Sequence, residues 1–141
     1  MVKREQKKVT ISMPLFVMLP RKTMPPKKQI LNLNYYRNWQ GHQSNDIKIA
    51  YKELTKPFLE GLKFPYRITI EFKLWKATAR RTDRANVLSV HEKFFCDALT
   101  EFGCIPDDND DYIESQTYRT GGIDRINPRV DITITEYQEA P

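Results

Sequence analysis

The chain is short of the residues that build the commonest specialised sites. Two cysteines, Cys96 and Cys104, cannot make a disulfide framework. No further Cys or His pair stands at zinc-ligand spacing from them. Cys96 lies beside Phe94 and Phe95 in a helical pattern and reads as a small core residue. Such sparse cysteine points to a reducing compartment, and the expected location is cytoplasmic. The two histidines, His42 and His91, are too isolated for a metal site or a catalytic triad. His91 falls on an apolar stripe and is expected to be packed. Five glycines are too few, and wrongly placed, for a phosphate-cradling loop. No apolar run approaches the roughly 20 residues of a membrane helix. The longest, Ile11 to Leu19, is interrupted by Pro14. Lys3, Arg4, Lys7 and Lys8 ahead of it imitate a signal peptide, but Pro20-Arg21-Lys22 follow in place of a small-residue cleavage site.

What is present suits one domain over residues 1–141. Forty per cent of the chain is hydrophobic, enough for one sizeable core. The net charge of +5 hides an asymmetry. Residues 1–93 hold 20 Lys and Arg against 7 Asp and Glu, whereas residues 94–141 hold 3 against 11. A basic part suits a polyanion and an acidic cluster suits a hard cation. The plainer alternative is that these charges coat a solvated surface.

Residues 1–8 are charged and expected to fray. Val9 to Met13 alternates as a first strand, and Pro20 to Lys28 reads as an extended basic loop. Ile30 to Trp39 is dense in Asn, Tyr and Arg, groups that stack on bases or bind phosphates; equally, its aromatics can fold onto the core. Ser44 can cap a helix from Asn45 to Leu59, with Ile47, Tyr51, Leu54 and Phe58 at helical period and Pro57 near its end. Arg67 to Trp75 is the clearest strand, with Ile68, Ile70, Phe72 and Leu74 on one face. A second helix runs from Ala85 to Phe102 and stops at Gly103. Its expected buried stripe is Val87, His91, Phe94, Phe95, Ala98, Leu99 and Phe102. Tyr112 to Arg119 and Arg129 to Tyr137 close the domain as strands, joined by a Gly121-Gly122 loop. The order is β–α–β–α–β–β, an α+β domain with two main helices on a mixed sheet.

Phosphodiester hydrolysis needs carboxylates to hold Mg²⁺ and a cation to balance charge on the phosphorus centre. Asp83 precedes the second helix, and Asp107 and Asp108 follow it. That helix is about 27 Å long, so these acids converge only if the following loop folds back, the site lies part-way along the helix and Asp83 also leans inwards. Asn86, Lys93 and Asp97 form a polar stripe on it, which also fits a solvated face with an i,i+4 Lys93–Asp97 pair. The acidic run at 107–111 is no EF-hand, because the loop glycine and the twelfth-position Glu are missing.

Three stretches together resemble the RusA-like Holliday junction resolvases: Arg80-Arg81-Thr82-Asp83-Arg84-Ala85-Asn86-Val87, Lys93-Phe94-Phe95-Cys96-Asp97-Ala98-Leu99, and Gly103-Cys104-Ile105-Pro106-Asp107-Asp108-Asn109. The resemblance covers about residues 67–118. It implies a phage-borne, dimeric, Mg²⁺-dependent endonuclease acting on four-way DNA junctions, with a homodimer matching the junction's two-fold symmetry. By that resemblance Asp83 and Asp108 hold the metal with Asp107 assisting. Lys93 stabilises the scissile phosphate or positions the attacking water, and Asn86 orients a ligand or the backbone. Lys27, Lys28, Tyr35, Arg37, Arg80 and Arg81 are the expected DNA contacts, and no membrane is expected as a partner. Position 85 is Ala where the family has its second metal-binding Asp, and a methyl cannot ligate Mg²⁺. A junction-binding protein without cleavage is therefore the alternative reading. A phage structural protein that merely kept the fold is a further one.

Overall fold

The computed structural model describes residues 6–137. The fraying expected for residues 1–8 falls, for 1–5, outside the described residues. The strands are β1 (Lys8–Pro14), β2 (Phe16–Leu19), β3 (Lys27–Ile30), β4 (Ile68–Lys76), β5 (Ile113–Ile123) and β6 (Arg129–Glu136). The helices are α1 (Leu33–Tyr36), α2 (Gly41–Leu59) and α3 (Arg84–Glu101). The architecture is α+β, as expected. A mixed four-stranded sheet runs in the order β1-β6-β4-β5, and β2 and β3 form a separate two-stranded ribbon. β6 lies antiparallel between β1 and β4, while β4 and β5 run parallel with α3 connecting them. Among the described residues, no helix is long and apolar enough to cross a membrane.

Alternation decides the sheet's inner face. Ile68, Ile70, Phe72 and Leu74 of β4 are buried, as are Val130, Ile132 and Ile134 of β6 and Ile11 and Met13 of β1. Side chains alternate between faces along a strand, so the polar residues between them point away from the helices. There Thr10 and Thr133 share a hydrogen bond of 3.1 Å, and Asp131 accepts from Ser12, Trp75 and Arg129.

Several boundaries differ from expectation for physical reasons. The stretch read as a basic loop holds the start of β3, because Lys27 and Lys28 pair with Leu19 and Met18 of β2. α2 begins at Gly41 with Gln40 at its N-cap, so Ser44 lies inside the helix and caps nothing. Its buried face is Ile47, Tyr51, Thr55 and Leu59, whereas Leu54 and Phe58 are exposed. Thr55 tolerates burial because its hydroxyl donates to the Lys52 carbonyl at 2.9 Å. β5 continues through Gly121 and Gly122, which were expected to form a loop. A Cβ at Gly121 would stand 2.5 Å from the Trp75 ring, so only glycine lets the parallel strands approach there. In α3 Cys96 is buried as expected, the buried set gains Leu88 and Val90, and Val87 and Phe102 are only half-buried.

Candidate functional site

α3 organises most of the candidate residues. Asp83 is its N-cap, and the carboxylate accepts from the Ala85 backbone N–H at 3.0 Å. That bond satisfies one of the helix's orphan donors and favours a negative charge at the positive end of the dipole. At the other end the chain turns at Gly103, whose φ of 73° lies in the left-handed region, and Cys104 N–H bonds back to the Leu99 carbonyl at 2.9 Å.

The loop beyond Gly103 carries Asp108 within electrostatic reach of Cys96. Cys96 is buried, and its thiol is pushed up to about 12, first by burial and then by the Glu92 charge. The Asp108 and Asp97 charges push it the same way, against a lowering hydrogen bond from Gln116. Asp108 therefore bears on the C-terminal half of α3. Burial, with the nearby Glu92 charge next, raises the Tyr118 phenol of β5 to about 12. Asp83 sits 13 residues before Cys96, about 20 Å along the axis, and the two ends of α3 share no metal-holding group among the described residues. Asp107 turns inwards on its own loop, accepting from the Asp108 N–H at 2.8 Å and from the Asn109 amide at 3.2 Å. Among the described residues the Asp108 carboxylate takes no hydrogen bond. No three His, Cys, Asp or Glu side chains among the described residues make a metal-holding group.

The sequence reading passed over Glu92. It lies seven residues beyond Ala85, and that offset returns to within about 20° on a helix. Glu92 and Ala85 thus share the flank of α3 that faces β5. That register was available in the sequence; the Glu92–Tyr118 contact was not, because it depends on where β5 docks.

The polar stripe of α3 divides. Asp97 pairs with Lys48 of α2 at 3.1 Å rather than with Lys93. Glu101 pairs with Lys52 of α2. The Lys93 ammonium stands 5.5 Å from the Tyr36 ring centroid, on the α1 side. Asn86 is half-buried in the first turn, its backbone N–H bonded to the Asp83 carbonyl at 3.0 Å.

Lys27, Lys28 and Tyr35 come together on a groove of about 310 Å³ between β3, α1 and the start of α2. Arg37 is the exposed C-cap of α1. Arg80 and Arg81 lie on the exposed loop entering α3 and do not line that groove. The aromatics of this stretch split between its two expected roles. Trp39 stacks on Phe94 at 6.2 Å and meets Tyr36 edge-on at 5.5 Å, whereas Tyr35 stays half exposed.

His91 is a core residue, as expected. It is fully buried and shares a 3.1 Å hydrogen bond with the Tyr51 hydroxyl, while Nε2 has no partner among the described residues. Burial pushes its pKa down to about 3. No protein-family model and no curated protein matches the chain.

Proposed function

We propose that this protein binds branched DNA and cuts four-way junctions as a Mg²⁺-dependent endonuclease of RusA-like type. The carrying observation is a division among its cations. Lys48, Lys52, Arg67, Lys73, Arg119 and Arg129 are each paired with a carboxylate. Lys27, Lys28, Arg37, Arg80, Arg81 and Lys93 form no ion pair among the described residues. Cations left unpaired on a surface are available to phosphates, and each phosphate contact releases a counterion.

Asp108 and Glu92 are the carboxylates that would hold Mg²⁺. Hard oxygen donors suit this ion, which commonly takes one or two carboxylates and completes its shell with water and substrate phosphate. When bound, it would polarise the scissile phosphate as a Lewis acid. Asp108 supplies an oxygen pair free of other hydrogen bonds among the described residues, and Glu92 lies on the β5 flank of α3, close enough to Tyr118 to raise its phenol. Lys93, about 100° further round the helix than Glu92, carries the positive charge that meets the phosphate oxygens. Asp83 serves as the cap of α3, and Asp107 holds the loop that presents Asp108. A two-fold junction needs two cuts, so the working form is a homodimer.

The test is nicking of a synthetic four-way junction with Mg²⁺ and with chelator. Cleavage in Mg²⁺ alone, with sedimentation as a two-chain species, is expected. A second reading, junction binding without cleavage, is favoured by the bare methyl at Ala85 and by the lack of a three-donor group among the described residues. Salt-sensitive junction binding with no nicking would establish that reading instead.

A further inference from the structure

We infer that the β3–α1 groove is a subsite for a single unpaired nucleobase, so that the protein engages splayed strands and not duplex alone. The inference rests on the reading of this chain as a branched-DNA binder and says which part of the DNA enters which part of the protein.

The groove's size and chemistry converge on that ligand. At about 310 Å³ it sits at the low end for small-ligand sites. It has room for one base and its sugar, and none for a helix. One wall is Tyr35, 48% exposed and stacked on no other ring among the described residues. An open aromatic face stacks on any base, whatever its sequence. Trp39 forms another wall and is held rigid from behind by Phe94 and Tyr36. Three amides line the groove: Gln29 is buried and donates through Nε2 to the Ile30 carbonyl at 3.1 Å, and the other two face the space between. Asn38 donates through Nδ2 to the Asn34 carbonyl at 2.9 Å, which fixes its side chain and leaves its oxygen as an acceptor. Gln43 has no hydrogen bond among the described residues and offers both a donor and an acceptor to a base edge. Lys27, exposed and without an ion pair, supplies the charge for the adjoining phosphate. No carboxylate lines the groove. Bases within a duplex are stacked and paired, so only an unpaired base can present its face to Tyr35. A junction's branch point is where pairing is most easily opened.

The experiment measures binding, without cleavage, of a single-stranded tetranucleotide carrying 2-aminopurine, of a linear duplex and of a four-way junction. Wild type, Tyr35→Ala and Tyr35→Phe are compared after circular dichroism shows all three folded. The expected result is 2-aminopurine quenching with wild type and Tyr35→Phe. Tyr35→Ala should lose about tenfold or more in tetranucleotide affinity, as for one lost stacking contact, with duplex affinity unchanged within about twofold. Equal tetranucleotide affinity for wild type and Tyr35→Ala overturns the subsite. So does duplex and junction binding with no tetranucleotide binding, and that result leaves the DNA-binding reading standing. Tyr35-dependent tetranucleotide binding with no preference for the junction supports the subsite and removes the junction reading. Binding of none of the three DNAs removes both.

Discussion

The groove between β3 and α1 and the flank between α3 and β5 handle charge in opposite ways. In the groove the cations are exposed and form no ion pair, Lys28 resting 4.3 Å from the Phe16 ring centroid, and the Tyr35 ring beside them is open. On the flank the charges of Glu92, Asp108 and Asp97 all act on a buried thiol, and Glu92 also acts on the Tyr118 phenol. The first arrangement waits for a partner that brings its own negative charge. The second is crowded with like charge, a cost that a divalent cation would relieve. The sequence's division into a basic and an acidic part thus reappears in the fold as two separate surfaces, one of exposed cations beside an open ring and one where acids bear on a buried thiol.

The sharpest way to separate the two regions is Asp108→Asn. It should lower Mg²⁺-dependent junction cleavage by about 100-fold or more while leaving junction affinity within about twofold, because it removes one metal-binding charge and no cation. Parallel cleavage and gel-shift assays check this, and a joint loss of binding would merge the two regions into one surface.

The next effect concerns what lies behind them. His91 is neutral and buried, with a folded-state pKa of about 3, below the ordinary 6.5. Where the unfolded chain takes up a proton, the folded chain does not. This contribution to stability is complete above pH 6.5 and is lost as the pH falls towards 3. Between pH 7 and pH 5 the loss should be about 2 kcal/mol. Urea unfolding of wild type and His91→Phe at both pH values measures it. The variant should begin less stable, since the Tyr51 hydroxyl loses its partner, but should lose this pH slope.

On the basic side, Lys27→Ala and Lys28→Ala should each reduce the salt dependence of DNA binding by about one unit of slope, and the double variant by about two. Binding titrations across salt concentrations test this. An unchanged slope would place the phosphates elsewhere. The smallest effect is expected at Asp83. Asp83→Ala should cost about 1 kcal/mol as a lost cap, whereas Asp83→Asn should keep stability, since Asn caps equally well. Loss of cleavage in a stable Asp83→Asn protein would return Asp83 to the metal site.

How much of this was legible depends on how local each cause is. β4 was plain because one strand with one buried face repeats every second residue. Gly103 was plain because a helix stop needs only its own backbone. The α2 face was legible at Ile47 and Tyr51 but misread at Leu54 and Phe58, because apolar character stood in for burial. Leu54 and Phe58 lie outside, and Thr55 lies inside with its hydroxyl satisfied within its own turn. The β2–β3 ribbon was hidden by prolines and lysines that a two-stranded edge accommodates. The acids were found as a set but not sorted. Which of them meet depends on the loop after Gly103 and the docking of β5, both of which join residues far apart in the chain.

The position of β6 also sets an order of assembly. β1 has β6 as its ladder partner, with nearly the whole chain between them, whereas β4, α3 and β5 form one continuous stretch. Loop closure delays the first pairing far more than the second. On the ribosome, β1 emerges first and has no ladder partner until β6 is made. The β4–α3–β5 unit, which carries the candidate metal-binding acids, can form while β1 still waits. The last step of folding is then the insertion of β6 between two strands already present, and pulse-labelled hydrogen exchange should show β1 amides protected only when those of β6 are.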